Sequence, residues 1–204
     1  MDVMTAVLTR RSEQILHGPS PSDAEFAYLL RGANSAPDHG RLRPWRWILL
    51  RDDDRDALGE CLAGEDGCDE SAVERMRAKA RRAPLVAALV FAPRESGRVP
   101  EWEQLAAATC MAYTLMLLLH ARDYGSIWRT GDASRGAPVR RLLGLKPGER
   151  MLGFLYIGTP DASVTRNRRP LEDVSGQMMS FAEIRDRGEA RVPVGHGAVL
   201  RTAG

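Results

Sequence analysis

A chain of 204 residues suits one domain and can bury roughly 70% of its unfolded surface, enough for a substantial core. Twenty-nine Lys and Arg against 27 Asp and Glu leave a formal net charge of +2 with the signs interleaved, which argues against a nucleic-acid surface. Three cysteines with no CxxC and four scattered histidines argue against a disulfide scaffold and a zinc site.

The first residues carry an acidic second position and no long apolar stretch before a small-residue cleavage site, so export is not expected and a reduced cytoplasmic setting is. Val3, Val7 and Leu8 give a short amphipathic helix ending at Arg10-Arg11-Ser12. A second helix starts on Ser20 with Pro21 or on Ser22 with Glu25, and Phe26, Leu29, Leu30 and Ala33 form its buried face. Trp45 to Leu50 reads as a strand, stopped by Asp52-Asp53-Asp54 as the cap of a helix from about Arg55 to Ala63. Glu70 to Arg82 is a charged helix whose Arg75, Arg77, Lys79, Arg81 and Arg82 form a solvated face or, in the sharper reading, attract the phosphates of NADPH.

Leu85 to Phe91 is a continuous apolar run of strand length and is expected at the centre of a sheet. Trp102 to Arg122 is a long apolar helix; its tempting segment, Leu105 to Ala121, falls short of the ~20 apolar residues of a membrane span and reads as a buried core helix. Gly125 to Thr130 and Met151 to Ile157 are further strands, with a helix over Ala133 to Leu143 between them. One domain over 1–184 is expected, followed by a tail at 185–204 that is flexible or wrapped on a partner subunit.

The densest chemistry lies in the loop from Ala33 to Trp45, where two prolines hold Asp38, His39, Arg41 and Arg43 on a stiffened arc. Arg10 and Arg11 present planar forks that match phosphate oxygens, although a basic helix end is the plainer account of them. Arg166 and Arg168 alternate in an irregular segment and share a side if it is extended. Neither GxGxxG nor GxxxxGK[ST] occurs, so a phosphate here is not cradled as in a Rossmann fold or a P-loop.

Arg10-Arg11-Ser12, Ala36-Pro37-Asp38-His39 with Arg43-Pro44-Trp45, Trp128-Arg129-Thr130-Gly131, Gly158-Thr159-Pro160 and Arg166-x-Arg168-x-Pro170 occur in that order. Together they resemble the FMN-dependent nitroreductase family, in particular its short NAD(P)H nitroreductase branch, over roughly residues 1 to 175. The resemblance implies an α+β fold with a central, mainly antiparallel sheet flanked by helices, and a homodimer with FMN at its interface. It implies that Arg10, Arg11 and Ser12 contact the FMN phosphate and ribityl chain, and that Arg166 and Arg168 are the later phosphate-binding pair. His39, with Pro37, Asp38 and Arg43, would approach the flavin from the other subunit, while Trp128, Arg129 and Thr130 pass beside its ring.

The implied activity takes electrons from NADH or NADPH through FMN to a nitroaromatic, a quinone or a related small electrophile. The chemistry lies on the flavin N5, with no catalytic side chain, metal, membrane or nucleic acid. The alternatives are another flavin reaction on the same fold, such as flavin fragmentation, dehalogenation or heterocycle oxidation, and a non-catalytic flavin-binding redox sensor.

Overall fold

The computed structural model describes residues 1–64, 69–163 and 167–187. Strand β3 (Leu85–Phe91) is buried along its whole length, as a strand covered on both faces must be. It pairs antiparallel with β2 (Trp45–Leu50), from Trp45↔Phe91 to Leu50↔Val86, and on its other side with β5 (Arg150–Pro160), from Leu85↔Ile157. β4 (Gly125–Arg129) and the two-residue β1 (Leu16–His17) also pair antiparallel with β5, in the registers Gly125↔Gly158 and Leu16↔Pro160. The sheet is thus antiparallel throughout its named pairings, with helices on both faces, and the α+β architecture holds.

The period of two along β3 divides the core. Leu85, Ala87, Leu89 and Phe91 meet Phe26, Leu29 and Ala33 of α2 (Asp23–Ala33) and Met111, Leu115 and Leu119 of α5 (Glu101–His120). Val86, Ala88 and Val90 meet the opposite layer, where Leu58 of α3 (Asp52–Ala63), Ala80 of α4 (Glu70–Ala80) and Val139 of α6 (Ala137–Leu142) are fully buried. The helices α3 and α4 approach so closely at Gly59 that a Cβ there would lie 2.5 Å from the Cα of Arg77. In β5, Leu89 faces Gly153 and Val90 faces Met151, so Leu152 is an extra residue and forms a bulge. Gly153 follows it at φ 127°, a conformation that side chains resist.

Several boundaries differ from expectation. Ser22 caps α2, its hydroxyl accepting from the Glu25 N–H at 3.2 Å, which settles the choice of start. Helix α3 begins at Asp52, not Arg55, and Asp54 accepts from the Arg51 N–H. The expected helix over 133–143 is split into a 3-10 turn, Asp132–Arg135, and α6, because Gly136 between them is extended and Pro138 lies in the first turn of α6. Nor is α5 buried all round: Trp102, Leu105, Ala106, Thr109, Cys110 and Tyr113 form an exposed stripe at helical spacing. It is the one helix among the described residues long and apolar enough to cross a membrane, and its opposite side is packed into the core.

The described residues divide into two units, one ending at Arg168 and one beginning at Arg169. In the second, Ser180 and Glu183 form a capping box at the start of α7 (Phe181–Asp186), and Leu171, Val174, Met178, Met179 and Phe181 are exposed. The expected boundary after residue 184 falls inside α7, and residues 188–204 of the expected tail lie outside the described residues.

Candidate functional site

Two adjacent arginines at the end of α1 (Val3–Thr9) have different surroundings. Arg11 donates from Nη1 to the Leu8 and Arg10 carbonyls at 2.9 and 3.2 Å, closing the helix end, and from Nη2 to the Asn167 carbonyl at 2.6 Å. Arg10 does neither. Its guanidinium stands over the Tyr113 ring, 5.7 Å from the centroid, and its Nε and Nη1 are shut off from water with no hydrogen-bond partner among the described residues. An unused buried donor costs about 1–3 kcal/mol, and an oxygen-rich anion could satisfy both of these.

From Arg10 the chain runs along the free edge of β4, where Ser12 bridges Ser126 and the Glu13 N–H donates to the Ser126 carbonyl at 3.2 Å. It reaches Gln14, whose Oε1 accepts from Arg129 Nη2 at 2.8 Å. The Arg129 guanidinium lies over the Tyr156 ring at 5.7 Å. Burial pushes the Tyr156 phenol pKa up, while the charges of Arg129 and Arg82 pull it down. Phe154 and Tyr156 floor a cleft of about 270 Å³ walled by Leu62, Met76, Lys79, Arg82 and Arg129. A second cleft, of about 570 Å³, shares Arg82 and reaches Gln14 and His17.

Of the basic stretch along and just beyond α4, Arg75 donates to the Ser71 hydroxyl at 3.2 Å and the other four separate into two groups. Arg77 pairs with Glu60 at 2.7 Å and Glu70 at 3.4 Å, and Arg81 with Asp56 at 2.5 Å and Glu74 at 3.1 Å. Hydrogen bonding to Arg81 holds the Asp56 carboxyl below its ordinary pKa. Lys79 and Arg82 have no carboxylate partner among the described residues, and both line the cleft. The solvated-face reading therefore suits Arg77 and Arg81.

The loop from Ala33 to Trp45 is pinned at both ends by one bond, Trp45 Nε1 to Asn34 Oδ1 at 3.2 Å. Asp38 organises its interior: its carbonyl accepts from the Arg41 N–H at 2.9 Å and its carboxylate from the Arg43 N–H at 2.8 Å. Gly40, Arg41 and Arg43 all have positive φ, at 74°, 52° and 45°, so the arc depends on left-handed backbone as well as on its prolines. His39 is exposed, and its Nδ1 lies 2.8 Å from Glu103 Oε2 on the first turn of α5.

One chain thus sets Arg11 against Asn167, the neighbour of Arg168, and runs from Arg10 through Ser12 to Gln14, the residue that holds Arg129. Pro37, Asp38, His39 and Arg43 stand apart, since their loop meets α5 at Glu103, ten residues or roughly 15 Å along the helix from Tyr113. Trp128 turns away from the cleft: its indole N–H donates to the Leu152 carbonyl at 3.1 Å and its ring packs on the α5 side of the sheet. Thr130 is exposed, and Arg166 lies outside the described residues. Sequence reasoning overlooked Gln14 and Tyr156; a polar residue two places after Arg10-Arg11-Ser12 and a tyrosine in a buried apolar strand were the available signals.

The sequence pattern of the Nitroreductase family matches residues 7–159, and the chain belongs to that family. Its relatives include the Escherichia coli (strain K12) protein named "Putative NAD(P)H nitroreductase YdjA", 32% identical over 163 residues, a span of 78% of this chain and 89% of that protein. Among solved structures, the nitroreductase-like family protein from Bacillus cereus superposes with a TM-score of 0.74 at 21% identity, covering 89% of this chain and 96% of that one. The FMN and NADPH-dependent nitroreductase NfnB from sphigopyxis sp. strain HMH gives a TM-score of 0.66 at 20% identity, covering 89% and 99%.

Proposed function

We propose that the chain is an FMN-dependent NAD(P)H oxidoreductase of the nitroreductase type, reducing nitroaromatics, quinones or related small electrophiles. The observation that carries this reading is Arg10, a half-buried cation with two shielded donors that find no partner among the described residues, beside a serine and a second basic segment. Those residues suit the phosphate of FMN, and the aromatic-floored cleft rimmed by Arg129, Arg82 and Lys79 suits its ring. Bound FMN supplies the redox chemistry, accepting a hydride from NADH or NADPH and yielding electrons to the acceptor.

Arg10, Ser12 and Arg168, with Arg166, hold the phosphate in this reading. Arg129, kept in place by Gln14 and the Tyr156 ring, would with Arg82 and Lys79 supply positive charge to stabilise a reduced flavin held in the cleft. The exposed stripe on α5 seats a second copy of the chain, whose Pro37, Asp38, His39 and Arg43 complete the site from across the dimer; the spacing of loop and Arg10 along α5 supports this. A cytoplasmic setting, with its thiols reduced, belongs to the same proposal.

The test is the visible spectrum of the purified protein, followed by anaerobic titration with NADH and NADPH. A bound flavin that bleaches, and recovers its colour on addition of a nitro compound or a quinone, is the expected result. A colourless protein that takes up no FMN would sink the proposal.

A further inference from the structure

Reducing a quinone to its hydroquinone consumes a proton for every hydride delivered: two electrons and one hydrogen come from the flavin, and the second hydrogen must come from an acid. We infer that His39 gives this proton from Nε2 and that Glu103 is the positioning residue behind it; the inference rests on the FMN-dependent reading of the site. The two residues are 64 apart in sequence and meet at 2.8 Å, His39 Nδ1 to Glu103 Oε2. A carboxylate offers only lone pairs, so Nδ1 carries the hydrogen of this bond and Nε2 is the outward nitrogen. Glu103 lies on the rigid first turn of α5, and Asp38 clamps the loop beside His39, so the ring is held from two elements. The acceptor takes a hydride and a proton and leaves as the hydroquinone; the proton leaves from Nε2, a water proton replaces it, and Glu103 keeps its bond to Nδ1 throughout.

Two measurements test this. In nitrogen-15 NMR spectra of the protein without flavin, the His39 signals, identified by their loss in His39→Ala among four histidines, should show Nδ1 protonated. Glu103→Ala should shift His39 towards the Nε2-protonated tautomer, and Glu103→Gln, which can still accept the bond, should leave it in place. In stopped flow, with flavin occupancy first matched by absorbance, bleaching by NAD(P)H should proceed at the parent rate in both Glu103 variants. Return of colour on mixing with 1,4-benzoquinone should slow by roughly 100-fold in His39→Ala and ~10-fold in Glu103→Ala, with Glu103→Gln between Glu103→Ala and the parent. Variants that bleach and recover like the parent, or a His39 tautomer indifferent to Glu103→Ala, would overturn the inference alone. A parent protein that binds no FMN would overturn the reading beneath it as well.

Discussion

Replacing Glu149 by Gln should destabilise the fold in a pH-dependent way. Glu149 precedes β5, and its carboxylate accepts from Arg46 Nε and Nη2 at 2.9 and 2.7 Å and from the Lys146 N–H at 2.8 Å. Arg46 belongs to β2 and also donates to the Gly144 carbonyl at 3.1 Å, so the pair ties the β2 side of the sheet to the turn that launches β5. Hydrogen bonding to Arg46 is the largest cause holding the Glu149 carboxyl at about 2, against an ordinary 4.5. At about 1.4 kcal/mol per pH unit, that gap amounts to about 3 kcal/mol. The Glu149 side chain is only 10% exposed, but that of Arg46 is 34% exposed, and screening there lowers the figure to about 2 kcal/mol.

The folded-state pKa is depressed, so this stability is fully present above about 4.5 and is lost as pH falls through about 2. Urea unfolding of the flavin-free protein, at one protein concentration, should give a Glu149→Gln deficit of about 2 kcal/mol at pH 7 that narrows steadily below pH 4.5. A deficit below about 0.5 kcal/mol at pH 7, or one of the same size at pH 7 and pH 2.5, would refute the reasoning.

Arg10→Met should cut FMN affinity at least ~10-fold by equilibrium fluorescence while leaving the flavin-free protein no less stable to urea, because the buried donors it removes have no partner among the described residues. Gly59→Ala should cost about 1–3 kcal/mol in thermal or urea unfolding, since its Cβ would press on the Arg77 backbone and force α3 from α4. The proposed dimer is tested at the middle of the exposed stripe of α5: light scattering should give a dimer for the parent and a monomer for Ala106→Glu, with flavin released from the variant.

Much of the fold was legible because its signals are long and local. Seven apolar residues from Leu85 to Phe91 had room for one interpretation, and the central strand is there. The two-residue β1 was invisible, because so short a run leaves no period to detect. The division of labour in α4 was equally hidden: Arg77 and Arg81 find carboxylates on α3, at Glu60 and Asp56, and nothing in a linear reading says that Lys79 and Arg82 do not. Likewise Arg10 and Arg11 look alike until the helix end and Asn167 claim the second and leave the first without a hydrogen-bond partner for Nε and Nη1 among the described residues. The Ala33 to Trp45 loop was recognised by composition, but its left-handed Arg41 and Arg43 were not, since arginine carries no preference for that conformation.

The bulge at Leu152 acts as a half-turn coupling in β5. Beyond it, Phe154 and Tyr156 point towards the cleft, while Leu155 and Ile157 point towards α5. Before it, Met151 shares the face of Phe154 although the two are three residues apart, which strict alternation forbids. Each end of β5 can therefore serve a different neighbour without compromise: one seats the turn that carries Glu149, and the other sets Phe154 opposite Arg129. Removing that single residue would barely shorten the strand; it would twist one end out of phase, turning either Met151 or the cleft floor to the wrong side of the sheet.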